Sequence, residues 1–280
     1  NRQIRMAGDV KGTIDNLNAK NFILESGKDS YLNGNIKMAG LPDIDSTYID
    51  FKANAFRTTY ADLAGIFPDL KKITDPRLSK ISYIGFKGNF TGFMRDFVTY
   101  GTIQTNLGAI TSDLNMKFPA KGNAAYSGKI STDQFDMGTF LGVKSLGTVS
   151  FNGKVKGSGF SAQTLNASLD GIFSHLQYND YDYENTVVKG RMDKKFFRGA
   201  VHVNDPNLII TLDGDIDFNT KKPEFNFFAD IQRSNLKKIG FAKDDMNVIG
   251  KFDMNFNGDD IDNFLGAVSL YDVAVTKGNQ

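Results

Sequence analysis

Apolar and polar side chains alternate with a period of two residues over much of this 280-residue chain. In the segment 208–218 the apolar and small positions are Leu208, Ile210, Leu212, Gly214, Ile216 and Phe218. Asp213, Asp215 and Asp217 fall between them. A β-strand sends successive side chains to opposite faces, so each such segment has one apolar and one polar side. Clean alternation of this kind is typical of antiparallel sheets with one face exposed to water.

The same alternation recurs in the segments 84–90, 149–155, 225–231 and 248–256. Turn-forming sequences separate these segments, as in Asp205-Pro206-Asn207 and Lys121-Gly122-Asn123. The 24 Phe and 10 Tyr residues favour strands, and the 28 Gly residues supply turns. The sequence therefore predicts an all-β fold of antiparallel, hairpin-connected strands.

Three short segments depart from the strand pattern, because their apolar residues are spaced three or four apart. We expect short helices at 60–67, 134–141 and 235–241, with Thr59, Asp133 and Ser234 as the respective N-cap residues. Each helix is only two to three turns long and has to dock against a sheet to be stable.

A glycine pair spaced four residues apart recurs, as in Gly88 with Gly92 and Gly153 with Gly157. We expect the second glycine of each pair to lie in a tight hairpin turn. Glycine hairpin, strands and short helix then follow one another in units near 8–67, 88–141, 153–241 and 250–280. The units indicate one continuous repetitive β-array over 1–280, which we interpret as a fragment of a longer chain.

The chain resembles the AsmA-like superfamily in these glycine hairpins, in its Phe-rich strands and in the helical motifs Asp62 to Gly65, Asp136 to Gly142 and Leu236 to Gly240. The resemblance is strongest to its TamB-type members from Gram-negative bacteria. It implies a long bent sheet, often called a β-taco, with an apolar concave face. It further implies a periplasmic protein that is anchored in the inner membrane and reaches the outer membrane. The implied partners are phospholipid acyl chains, a TamA-like outer-membrane β-barrel and nascent outer-membrane proteins.

We therefore expect a groove for phospholipid transfer or for the assembly of outer-membrane proteins. Its predicted lining is Phe86, Phe90, Phe151, Val155, Leu212, Ile216, Phe218, Phe225, Phe227, Phe252, Met254 and Phe256. The alternative interpretation is that these residues form the ordinary core of a β-sandwich, since half-buried strands have the same pattern in both folds. A surface adhesin or binding module built on a β-sandwich is the corresponding alternative function, and a β-rich hydrolase is a third.

Several other kinds of site are disfavoured by the sequence. The 33 basic and 32 acidic residues are scattered, whereas nucleic-acid binding needs a basic face. His175 and His202 lack the neighbouring ligands of a metal site, and the acidic stretches at 180–184, 213–219 and 259–262 are better interpreted as solvated strand faces. No Walker A, G-x-S-x-G or H-E-x-x-H motif occurs. We therefore expect neither a cofactor, nor a metal, nor enzymatic activity.

Overall fold

The computed structural model describes residues 4–27, 29–66, 71, 77–161, 163–258 and 265–278. These residues form an all-β fold of antiparallel strands in an open, curled sheet arrangement, which confirms the predicted fold class. The chain divides into two compact units, unit 1 (Asn1–Val143) and unit 2 (Lys144–Gln280). The boundaries of the sequence repeats stay a prediction. No helix within the described ranges has the length and apolar character needed to cross a membrane.

Unit 1 consists of eight strands, and each described strand pairs with the next strand along the chain. The strands are β1 (Ile4–Thr13), β2 (Asn16–Ser26), β3 (Ser30–Ala39), β4 (Tyr48–Thr59), β5 (Tyr83–Phe93), β6 (Asp96–Thr105), β7 (Gly108–Lys117) and β8 (Ala125–Asp136). The helical elements are α1 (Tyr60–Ile66), a 3-10 helix (Leu78–Lys80) and α2 (Met137–Leu141).

Unit 2 has the same up-and-down order of neighbouring strands. The strands are β9 (Leu146–Ser158), β10 (Asn166–Tyr178), β11 (Tyr181–Asp193), β12 (Phe196–Asp205), β13 (Leu208–Asp217), β14 (Glu224–Ser234), β15 (Met246–Asn257) and β16 (Leu265–Lys277). In an antiparallel pair, two residues directly opposite each other project their side chains from the same face of the sheet. The register therefore shows which side chains share a face.

Rows of small residues cross the strands of each unit and explain how the sheet can bend there. In unit 1 the row is Gly34, Ala53, Gly88, Gly101 and Ser112, on five successive strands. In unit 2, Gly190, Gly199 and Gly214 face one another on three successive strands. A Cβ atom at Gly88 would lie 2.6 Å from the Cα atom of Gly101. The backbones approach too closely there for any side chain, and glycine at such positions is typical of sheets that bend sharply.

The structure confirms the first predicted helix and shifts the second. In α1 the amide of Asp62 donates to Thr59 Oγ1 over 3.1 Å, as expected for an N-cap, while Phe67 lies outside the described residues. The second helix begins only at Met137, and its N-cap is Asp136 rather than Asp133. Strand β8 continues further than predicted because Phe135, which is only 1% exposed, is buried as a strand residue.

The third predicted helix, at 235–241, is wrong, because this segment is a series of turns. Ser234, the last residue of β14, does not cap this segment. Its hydroxyl instead accepts a hydrogen bond from the amide of Val248 in β15. The side chain of Asn235 accepts from the amide of Lys238 instead, over 3.0 Å. Gly240, with φ of 81°, then turns the chain away. The apolar spacing of Leu236 and Ile239 occurs in such turns as well as in a helix, so it did not discriminate between them.

The predicted role of the second glycine in each hairpin also needs correction. Gly12 and Gly92 lie inside strands, opposite Leu17 and Phe97, and the turns come two residues later. A Cβ atom at Gly92 would lie 2.8 Å from the Cα atom of Phe97. These glycines therefore permit close approach of the paired strand, and they do not form the turn itself.

Candidate functional site

The strand register of unit 2 brings apolar side chains into rows that run across all the strands, and we call the surface they form the apolar face of unit 2. The first row is Gly157, Ala167, Met192, Phe197, Ile216, Phe225, Phe256 and Gly266. The second row is Val155, Leu169, Gly190, Gly199, Gly214, Phe227, Met254 and Val268. Neither row contains a charged side chain.

Two further rows complete the apolar face of unit 2. The third is Gly153, Gly171, Val188, Val201, Leu212, Ala229, Phe252 and Leu270. The fourth is Phe151, Phe173, Thr186, Val203, Ile210, Ile231 and Gly250. Thr186 is the only polar side chain in the four rows, so the face is continuous and uncharged.

Nine of the predicted lining residues lie on this face. They are Phe151, Val155, Leu212, Ile216, Phe225, Phe227, Phe252, Met254 and Phe256. Phe218 lies just beyond the end of β13, 45% exposed, with its ring centre 6.4 Å from that of Phe225. Sequence reasoning missed Phe173, Met192 and Phe197, although the same two-residue period marks them in β10 to β12.

Aromatic rings pack beside one another on this face and lie opposite glycines. The rings of Phe225 and Phe256 stack with centres 4.8 Å apart, and Phe227 meets Phe256 edge-on at 6.1 Å. Phe227 faces Gly214, and Phe256 faces Gly266, on the neighbouring strands. A bulky ring opposite a glycine shields that strand's bare backbone and helps to fix the register.

Most of these side chains remain partly accessible to solvent. Phe151 is buried at 8% exposure, Phe218 is exposed, and the other predicted lining residues of unit 2 are half-buried. Each described strand of unit 2 belongs to the same sequentially paired sheet, so no second sheet of this unit covers the face. A β-sandwich core needs a second layer that packs against the first. The described part of unit 2 instead presents its apolar face as a single curved layer.

One rim of the apolar face of unit 2 is closed. The turn segment 235–242 follows β14 and places Ile239, only 2% exposed, against Tyr183 and Val203. Leu236 packs beside them, and its amide donates to the carbonyl of Met246 over 2.8 Å. We call this edge the closed rim. It lies beyond the fourth row, at the end of the strands opposite to the turns 194–195 and 218–223.

A buried polar network also stabilises the closed rim. The carboxylate of Asp205, 2% exposed, accepts from the Tyr181 hydroxyl over 2.6 Å and from the amides of Glu184 and Asn207. Desolvation and this hydrogen bond raise the pKa of Tyr181 to about 12, and desolvation also raises the pKa of Tyr183 to about 12. The hydrogen bonds satisfy the buried carboxylate of Asp205, so the network acts as a structural anchor for the closed rim.

Unit 1 has an apolar face of its own, on which both remaining predicted residues lie. The row through Phe90 is Val10, Ala19, Ile36, Phe51, Phe90, Thr99, Leu114 and Gly128. The row through Phe86 is Met6, Leu24, Leu32, Phe56, Phe86, Ile103, Ile110 and Thr132. Phe86 and Phe90 are half-buried. Phe51 and Phe56, which face them directly, are apolar-face residues that the sequence did not single out.

The ends of β4 and β8 in unit 1 carry small clusters like that of the closed rim. Ala64 of α1 is 1% exposed, and Phe135 is equally buried at the end of β8. The ring of Phe140 in α2 meets that of Phe135 edge-on, with centres 5.5 Å apart. Short helices thus dock at the strand ends in unit 1, where a turn segment does so in unit 2.

The opposite, polar face of unit 2 holds the acidic residues and histidines that the sequence analysis considered. Asp215 pairs with Arg198 over 3.0 Å, and Asp217 accepts from the amide of Asn219. His175 and His202 each contact a threonine hydroxyl, at 3.1 and 3.0 Å. Among the described residues no three or more potential metal ligands gather at one place. The predicted acidic stretch at 259–262 lies outside the described residues.

Comparison with known proteins gives no match, whether with family models, curated proteins or solved structures.

Proposed function

We propose that the chain binds acyl chains of phospholipids on its apolar faces. The observation that carries this proposal is the face of unit 2, where three uncharged rows cross eight strands, a fourth crosses seven, and most of the side chains are half-buried. Exposed apolar surfaces of this extent typically mark binding sites for apolar partners. Burial of apolar surface contributes roughly 25 cal/mol per Å², so tails that cover the face gain free energy without any specific polar contact.

The dimensions of the face support a lipid tail as the occupant. From Phe225 in the first row to Ile231 in the fourth, β14 advances six residues, which corresponds to roughly 20 Å. The hydrocarbon core of a bilayer is roughly 30 Å thick, so the tails of one leaflet extend about half of that. A tail that lies along the strands therefore fits between the two rims of the face.

This tail-binding role agrees with the function that the TamB-type resemblance implies. We propose that the chain is part of a periplasmic scaffold that is anchored in the inner membrane and delivers phospholipids to the outer membrane. A TamA-like barrel and nascent outer-membrane proteins are the partners proposed for the assembly role. No observation on the described residues specifically favours the adhesin or hydrolase alternatives.

Two adjacent phenylalanines offer a matched test of the proposal. Phe227 lies on the apolar face, whereas Phe228 is 41% exposed on the polar face, opposite Asp213 and Asp253. Phe227→Glu places a charge among the tails and removes a side chain that a bound tail would cover. The free energy of lipid binding should weaken by about 2 kcal/mol, which is more than tenfold in affinity. We expect Phe228→Glu to leave binding unchanged.

Native mass spectrometry of delipidated protein with phospholipid vesicles measures the bound lipid. The proposal requires lipid adducts on the wild type and on Phe228→Glu, with a clear loss on Phe227→Glu. Equal loss in both variants, or no lipid on any of the three proteins, would contradict it. Circular dichroism spectra of the two variants serve to confirm that both retain the β fold.

A further inference from the structure

The two rims of the apolar face of unit 2 differ in chemistry. Ile239 and Leu236 seal the closed rim with apolar side chains. At the other end of the strands, the described parts of the turn 159–165 and the turns 194–195 and 218–223 form what we call the open rim. There Phe160 and Phe218 remain 39% and 45% exposed. An amphiphile whose tail lies along the strands can therefore place its polar end at the open rim.

The turns of the open rim are held to one another by backbone hydrogen bonds. The amide of Lys194 donates to the carbonyl of Leu165, which joins the first two turns. The amide of Phe218 donates to the carbonyl of Lys195 over 2.9 Å, which joins the second and third. The open rim is thus a connected edge that directly borders the first row of the apolar face.

The turns of the open rim carry four exposed lysines, Lys194, Lys195, Lys221 and Lys222, and contain no acidic residue. The acidic residues next to these turns, Asp193, Asp217 and Glu224, end the adjoining strands on the polar face. None of these lysines forms an ion pair with another described residue. By contrast, the turns 179–180 and 235–245 at the closed rim combine lysines with Asp180, Asp244 and Asp245.

We propose that the four lysines of the open rim bind the anionic headgroup of a phospholipid whose tail occupies the apolar face of unit 2. This inference rests on the proposed tail binding and adds headgroup selectivity to it. A phosphate on an anionic lipid carries net charge that an exposed ammonium attracts, whereas a zwitterionic headgroup offers its phosphate together with a competing cation. The chain therefore prefers anionic over zwitterionic phospholipids with the same tails.

The test compares binding of phosphatidylglycerol and phosphatidylcholine, both dioleoyl, to the delipidated 280-residue chain by native mass spectrometry. The test variant replaces Lys194, Lys195, Lys221 and Lys222 with Gln. The control variant replaces four exposed lysines of unit 2 that lie away from the open rim, namely Lys237, Lys238, Lys243 and Lys251. Both variants lose the same charge, so they separate a local effect from one of net charge.

We expect the wild type and the control variant to prefer phosphatidylglycerol by about fivefold or more, and the test variant to lose that preference. Added salt should weaken the preference, because exposed charges are screened. Equal binding of both lipids by the wild type, or a preference that survives in the test variant, would overturn the headgroup inference alone. Failure of the wild type to bind either lipid would instead refute the proposed tail binding.

Discussion

Replacement of Ile239 by Ala perturbs the closed rim at its most buried apolar side chain. Ile239 is 2% exposed and packs against Tyr183 and Val203. The substitution removes three buried carbon atoms, worth about 0.8 kcal/mol each, and leaves a cavity that adds to the cost. We therefore expect the free energy of unfolding to fall by about 3 kcal/mol.

Urea unfolding followed by circular dichroism measures this loss, and a change in midpoint at constant slope identifies it as a change in stability. Phe241→Ala is the matched control, since Phe241 lies two residues away and is 65% exposed. We expect the control to change stability by less than about 0.5 kcal/mol. A loss below about 1 kcal/mol for Ile239→Ala, or an equal loss for both variants, would refute the view that this segment seals the rim.

Two further predictions concern the polar network and the glycine rows. Because the pKa of Tyr181 is raised to about 12 in the fold, its contribution to stability is complete below about pH 10 and is lost as the pH rises through 12. Tyr181→Phe should make the fall in unfolding free energy over this range shallower, and an unchanged pH profile would contradict the assignment. Gly214→Ala should destabilise the chain by more than about 1 kcal/mol, because its Cβ atom would lie 2.5 Å from the Cα atom of Phe227. Gly65 lies in α1, and a Cβ atom added there would have no neighbouring atom within 4 Å, so Gly65→Ala should stabilise the chain by about 0.5–1 kcal/mol. A higher melting temperature for Gly214→Ala than for Gly65→Ala would contradict the close approach of the strands at Gly214.

The faces of the strands could be read from the sequence because a period of two assigns each side chain to a side without knowledge of the partner strand. Phe225, Phe227 and Phe252 were placed correctly on one face for this reason. Each described strand pairs with its neighbour along the chain, so residues that share a face also meet across the sheet.

Features that depend on contacts distant in sequence were not predictable in the same way. The segment 235–241 has the apolar spacing of a helix, but its conformation is set by the docking of Ile239 on Tyr183 and Val203. Gly92 was mistaken for a turn residue for a local reason, because the turn comes two residues later and Gly92 pairs with Phe97 on the returning strand. The contrast between the closed and open rims arises only when several turns come together in the fold.

Photo-crosslinking at one strand tests the central claim most directly. Benzoylphenylalanine replaces Phe227 on the apolar face or Phe228 on the polar face, and each protein is irradiated with phospholipid vesicles. If acyl chains occupy the apolar face, mass spectrometry finds lipid attached at position 227 and little at position 228. Equal labelling at both positions, or none at 227, would show that this face does not hold lipid tails.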